Sequence, residues 1–271
     1  MLPGEDMTSV FRRFYDWISW QRISAQEFRI KQPKKETAMV LAYTIFYIFA
    51  AGIFGYLIKH KPLPILGSAD FTTDVWYALV FKIGLLLIVP GIGFFLQGYR
   101  IRDLLPEWKF QFRSAISIII AFVLGLSLNL EGVHFISEAA GRFSTGDLIL
   151  RIGIGVALPL FMAGIPEELV YRGILQTRIE RLLGRVAAIS ITALLFTAWH
   201  LPTRFLLSRG VEGSAGDLGS VLIGTGIPVF IVGLIFSILW DRYRSLLPLV
   251  AAHWGIDTIP QIISFLGVRY R

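Results

Sequence analysis

The sequence predicts an all-α fold: a polytopic transmembrane helical bundle of seven or eight spans, preceded by an N-terminal interfacial amphipathic helix. Three observations carry this expectation. Apolar residues make up 55% of the 271, charged residues only 17%, and the mean hydropathy is +0.64, whereas soluble domains run nearer ~25% charged. Such a chain lacks the polar surface to cover itself in water, and the bilayer must act as its solvent. Apolar stretches close to the ~20 residues that cross the hydrocarbon recur along the chain. Lys and Arg gather in alternate connecting segments. The formal charge of +7 is therefore juxtamembrane charge, so the expected partner is the lipid bilayer and not nucleic acid. The chain has no cysteine, which excludes disulfides, thiolate metal sites, a Cys nucleophile and S-palmitoylation.

The leader, residues 1–37, is charged and contains no span. Phe11, Phe14, Tyr15 and Ile18 share one helical face with Arg12 and Arg13 beside them, the pattern of a helix lying in the interface. The first apolar span begins near residue 38, so no cleavable signal is expected. The spans then run about Met39–Ile58, Val75–Leu96, Ser114–Leu130, Asp147–Ile165, Val186–Leu201, Ser220–Trp240 and Leu246–Leu266. A division near Pro166 would make eight. With the N-terminus in the cytoplasm, inner segments hold 17 Lys and Arg and outer segments 8, with Lys82 inside a span. That bias sets the N-terminus in the cytoplasm. Residues 38–150 and 151–271 are read as an N-terminal and a C-terminal group of spans. Trp20, Trp76, Trp108 and Trp240 lie near span ends as interface anchors, and Gly224, Gly226 and Gly233 read as close helix packing.

Ionisable groups cost at least ~2.5–3.5 kcal/mol each at the bilayer centre, so those inside spans suggest function. They gather in three places: Glu167, Glu168 and Arg172 in GIPEELVYRGILQ, His200 in FTAWH, and His253 and Asp257 in AAHWGIDTI. His60 and His134 read as solvated surface residues, and Lys82 as a residue that snorkels or pairs. Glu168 and Arg172, Phe196 and His200, and His253 and Asp257 are each spaced i,i+4, so each couple shares a helix face. Glu167 points about 100° away from Glu168. Leu182-Leu183-Gly184-Arg185 reads as the turn of a helical hairpin. Glu167 is 17 residues before Gly184 and His200 is 16 after it, so both rise roughly 24–26 Å from the turn. His253, eight residues past Ser245, rises about 12 Å from its own cytoplasmic loop. With the charged turn protruding, all three places reach one depth, about 10–15 Å below the cytoplasmic surface.

A carboxylate and a histidine meeting in a dry cavity hold and deprotonate a water. A second histidine can then stabilise the oxyanion formed when that water attacks an amide. The same residues also suit a proton or ion pathway, or polar pairs that join helices. Spacing leaves all three readings open.

EExxxR (Glu167, Glu168, Arg172), FxxxH (Phe196, His200) and HxxxN/D (His253, Asp257) together resemble the motif set of the CAAX proteases and bacteriocin-processing enzymes. This group includes the type II CAAX prenyl endopeptidases and bacterial immunity-type homologues. The resemblance covers roughly residues 160–260 and makes residues 151–271 a catalytic core. It implies an intramembrane endopeptidase open to the cytoplasm, acting on a peptide or membrane-protein substrate, with processing of a lipidated CAAX-type peptide as one form of that activity. In this reading Glu167 and His200 activate the hydrolytic water, His253 and residue 257 form the oxyanion side, and Glu168, Arg172 and Phe196 support them. The departure is at 257, where the prenyl endopeptidases have Asn. An ionised Asp only accepts hydrogen bonds, so Asp257 is protonated, orients His253 or helps hold a cation. The expected mechanism uses no cofactor. The alternative is a divalent metal such as zinc on Glu167, His200, His253 and Asp257.

HExxH, a buried G-x-S-x-G and the GxGD pattern are absent, which removes the corresponding zinc, serine and aspartyl intramembrane readings. The alternatives to a protease are a non-proteolytic membrane immunity or scaffold protein and a proton-coupled transporter. The expected location is the plasma membrane.

Overall fold

The computed structural model describes residues 29–60, 78–104, 112–207 and 212–267, and among them the fold is all-helical. The expected amphipathic face at Phe11 to Ile18 lies outside the described residues.

Helix α1 (Pro33–His60) opens with proline, whose missing N–H costs nothing in a first turn, and with Glu36 near the helix N-terminus. Helix α2 consists of Ala78–Ile88, wound as a π-helix, and Val89–Leu96. Helix α3 (Phe112–Ser127) leads through a single 3₁₀ turn into α4 (Val133–Ala140). Their axes, over Ala115–Ser127 and Leu130–Ala140, bend by 61°. Helix α5 (Thr145–Leu183) runs 39 residues without a break. Gly184 ends it at φ 85°, the left-handed region open to glycine, and α6 (Arg185–Leu207) returns. Helices α7 (Leu218–Tyr243) and α8 (Leu246–Phe265) complete the order.

The sequence predicts seven or eight spans. Among the described residues, α1, α5, α6, α7 and α8 are long and apolar enough to cross a membrane, and the bent pair makes six if it counts as one span. Helix α2 is shorter as described, because residues 75–77 of its expected span are outside the described set. The expected division at Pro166 does not occur, since the chain stays helical on both sides of it. The outward faces carry exposed Phe49, Phe95, Ile119, Ile149 and Ile223, as a surface solvated by lipid requires.

Three of the π-wound stretches share a cause. Ala78–Ile88, Leu160–Gly164 and Leu222–Gly226 each end two residues before a proline: Pro90, Pro166 and Pro228. Proline removes one backbone donor and its ring crowds the carbonyl four residues back. A local π adjustment in the preceding turn relieves that conflict without exposing backbone to lipid.

Helix α8 is the hub. It crosses α3 at backbone contact: a Cβ on Gly125 would overlap Ala252 O, and one on Gly255 would overlap Phe122 O. Gly155 on α5 lies against Ile262 of α8 in the same way. Without a hydrophobic drive in lipid, such small-residue crossings hold helices together by close packing.

Candidate active site

Four helices supply the site and a fifth supports it. Helix α5 carries Glu167, Glu168 and Arg172, all fully buried. The two glutamates lie in a single α-wound turn, Ile165–Glu168, between two π-wound stretches. Helix α6 brings Phe196 and His200, α8 brings His253 and Asp257, and α2 brings Lys82.

Glu168 and Arg172 form the expected i,i+4 ion pair, with Nη1 donating to Oε1 at 3.0 Å. The guanidinium also donates from Nη2 to Gly233 O at 3.3 Å and lies 4.2 Å from the Phe196 ring centroid, a cation–π contact. Gly233 of α7 approaches closely because a Cβ there would stand 3.1 Å from Phe196 Cδ1. This accounts for one of the three packing glycines predicted on α7. Phe196 therefore works as a ring platform: it meets Tyr171 edge-on at 5.2 Å, His200 at 4.9 Å and His253 at 6.0 Å between centroids.

His253 sits among three carboxylates. Its Nδ1 is 2.7 Å from Glu168 Oε1, and its Nε2 is 3.4 Å from Asp257 Oδ2 and 3.9 Å from Glu167 Oε2. A carboxylate only accepts, so Nδ1 carries the hydrogen given to Glu168. Asp257 is the open side of the group, with its side chain 38% exposed against 8% for His253 and 1% for Glu167. His200 donates from Nδ1 to its own helix at Phe196 O, 2.8 Å away. That bond fixes the neutral tautomer and leaves Nε2 as an acceptor. The ring packs on Trp199 at 4.1 Å and lies within electrostatic reach of Lys82, His253 and Asp257.

Of the three residues expected at one depth, Glu167 and His253 approach to 3.9 Å from helices far apart in sequence, and His200 lies within electrostatic reach of His253. Asp257 lies against His253. Lys82 is the residue that sequence reasoning placed outside the site. Its Nζ is 2.6 Å from Glu167 Oε1. The available signal was a lone ammonium inside an apolar span, which by its cost is a functional candidate. Glu167 Oε2, by contrast, has no hydrogen-bond partner among the described residues.

The four residues named for a divalent ion do not fit one. Among the described residues no group of three or more His, Asp or Glu is arranged to hold a metal, and an ammonium, itself repelled by a metal ion, already occupies Glu167 Oε1.

No curated protein and no solved structure matches the chain significantly. One protein family does, over residues 150–259, and it is described as Type II CAAX prenyl endopeptidase Rce1-like. Glu167, Glu168, Arg172, Phe196, His200, His253 and Asp257 all fall within that range, and Lys82 falls outside it. Such a family implies a CAAX-type membrane protease with a peptide substrate in a lipid environment. The chain is thus an integral membrane protein whose segment 150–259 is similar to the Type II CAAX prenyl endopeptidase Rce1-like family.

Proposed function

We propose that this chain is an intramembrane endopeptidase that hydrolyses a peptide bond with a water activated by Glu167 and His200. The observation that carries the reading is Glu167 itself. It is a fully buried carboxylate with one oxygen held by Lys82 and the other, on the side of His253, without a hydrogen-bond partner among the described residues. Such an oxygen is the acceptor that a general base needs.

In this mechanism a water donates one hydrogen to Glu167 Oε2 and one to His200 Nε2. Glu167 takes the proton as the water oxygen attacks the scissile carbonyl carbon. The C=O pair moves onto oxygen, and His253 Nε2–H donates to the resulting oxyanion. Collapse of the tetrahedral intermediate breaks the C–N bond, and Glu167 returns its proton to the leaving amine. Asp257 acts through His253 by accepting from Nε2–H in the resting site, so it never has to face the oxyanion as a donor. Glu168 and Arg172 hold the far edge of the same imidazole. Charge distribution along the chain supports an N-terminus in the cytoplasm, and the site then opens to the cytoplasmic half of the plasma membrane.

The test is cleavage of a panel of lipidated and unlipidated peptides by the purified protein, with Glu167→Ala as control. Cleavage that Glu167→Ala abolishes is expected. Cleavage confined to lipidated peptides would identify the activity as CAAX-type. No cleavage across the panel, with ion or solute flux that depends on Glu167 and His200, would replace this reading with a transporter. Neither cleavage nor flux would leave a scaffold.

A further inference from the structure

Lys82 reaches the site from α2, a helix outside the matched segment. Its ammonium lies 2.6 Å from Glu167 Oε1 and 5.2 Å from the ring centroid of Trp199, the neighbour of His200. Its side chain is 15% exposed and that of Glu167 1%. Arg172 is committed to Glu168, and His253 Nε2 stands at 3.9 Å from Glu167. Lys82 is thus the one cation that hydrogen-bonds Glu167 among the described residues. The segment that bears it is π-wound, which turns its side chains off the regular 3.6-residue register.

A carboxylate has two oxygens, and a base in a dry site must satisfy two conditions. It must stay ionised, which burial opposes and a nearby cation favours. It must also present a free lone pair to the water. A charge-assisted bond to Oε1 meets both, because it compensates the charge and fixes the carboxylate plane. The remaining oxygen, Oε2, is then directed toward His253. Asp257 and His200 also lie within electrostatic reach of the ammonium.

We propose, resting on the protease reading above, that Lys82 is a positioning residue of the hydrolytic centre. Its ammonium holds Oε1 of Glu167, so that Oε2 faces the reacting water. The N-terminal group of spans then completes an active centre that residues 150–259 alone do not contain. A lysine that merely ties α2 to α5 would affect stability without a selective effect on turnover.

The test uses the full chain in phosphatidylcholine nanodiscs and a peptide that the wild type cleaves. It compares Lys82→Met and Lys82→Arg for kcat, KM and Tm, with Lys82→Gln as a second neutral variant should Lys82→Met not fold. The expected result is a folded neutral variant whose kcat falls roughly tenfold or more while KM stays within about twofold. Lys82→Arg, which keeps a cation beside Oε1, recovers a substantial part of kcat. A folded neutral variant with wild-type kcat, or one impaired in KM alone, overturns the positioning role. So does a folded Lys82→Arg as slow as Lys82→Met. Failure of the wild type to cleave anything in the panel overturns the protease reading and this role with it. Cleavage by the wild type and by Lys82→Met alike overturns this role only.

Discussion

Arg172 illustrates how much of the site one side chain holds. It is fully buried against a fully buried Glu168, gives a second donor to Gly233 O, and covers the Phe196 ring. Removing one member of a buried pair strands the other charge, at a cost of about 3–5 kcal/mol. Arg172→Ala should therefore lower the Tm markedly as well as the activity, read by thermal unfolding in detergent. Arg172→Lys should recover only part of it, because an ammonium cannot make the forked and stacked contacts together. A fully stable but inactive Arg172→Ala would instead place the guanidinium among the groups that touch substrate. Asp257 makes a second case. It touches His253 Nε2 and is the most open member of the group, so Asp257→Asn, which keeps an oxygen acceptor there, should retain much of the peptide cleavage. That cleavage should also resist a strong chelator. Loss on chelation, restored by a divalent metal, would return Asp257 to the role of ligand. These pairs were legible from spacing, since i,i+4 couples meet on one helix whatever the rest of the fold does. The Glu167–Lys82 contact was not legible in that way. Its partners are 85 residues apart on different helices, and the π winding of α2 rotates its side chains away from the 3.6-residue register on which a sequence reading relies.

Proline-linked π winding gives the helices their local shape. In α5 the wide turn Leu160–Gly164 precedes Pro166, and the two glutamates follow at once. With Pro166→Ala the conflict that calls for π winding disappears, and regular winding would rotate Glu167 and Glu168 relative to the residues before them. The expected outcome is a folded variant with a normal or raised Tm and reduced cleavage. A variant as active as wild type would show that the winding does not set the glutamates' direction. Packing between helices offers a separate test. Gly255→Ala places a methyl against Phe122 O across the α3–α8 crossing, and overpacking of this kind costs about 1–3 kcal/mol. At Gly153 a Cβ meets nothing within 4 Å, so Gly153→Ala should leave the Tm unchanged or slightly raised. Similar Tm losses in both variants would contradict the assigned crossing. The hairpin at Gly184 and the last three helices follow the apolar pattern closely, because long apolar runs ended by glycine or charge admit few alternatives. The continuity of α5 through Pro166 did not follow from it. A proline reads as a break, and whether the neighbouring turn absorbs it is decided by packing that the sequence does not display.

Seven residues of the resemblance lie within a segment that one family recognises, yet the site they build draws on an eighth from the other half of the chain. In the proposed mechanism the molecule as a whole acts as one catalytic unit. Its orientation is open to direct measurement because the chain has no cysteine. A single cysteine in place of exposed Lys34, at the start of α1, should react with an impermeant maleimide only from the cytoplasmic side. One in place of exposed Lys59, at the other end of that helix, should react only from outside. The reverse pattern would invert the membrane orientation and move the site's opening to the opposite face. The central claim is narrower still: one buried carboxylate, Glu167, activates the hydrolytic water. The most direct measurement is kcat for a cleaved peptide with wild type and Glu167→Gln, each verified as folded by its Tm. Glutamine keeps the shape but cannot take the proton, so the account predicts a fall of ~10²–10⁴-fold. A folded Glu167→Gln that cleaves at the wild-type rate would contradict it.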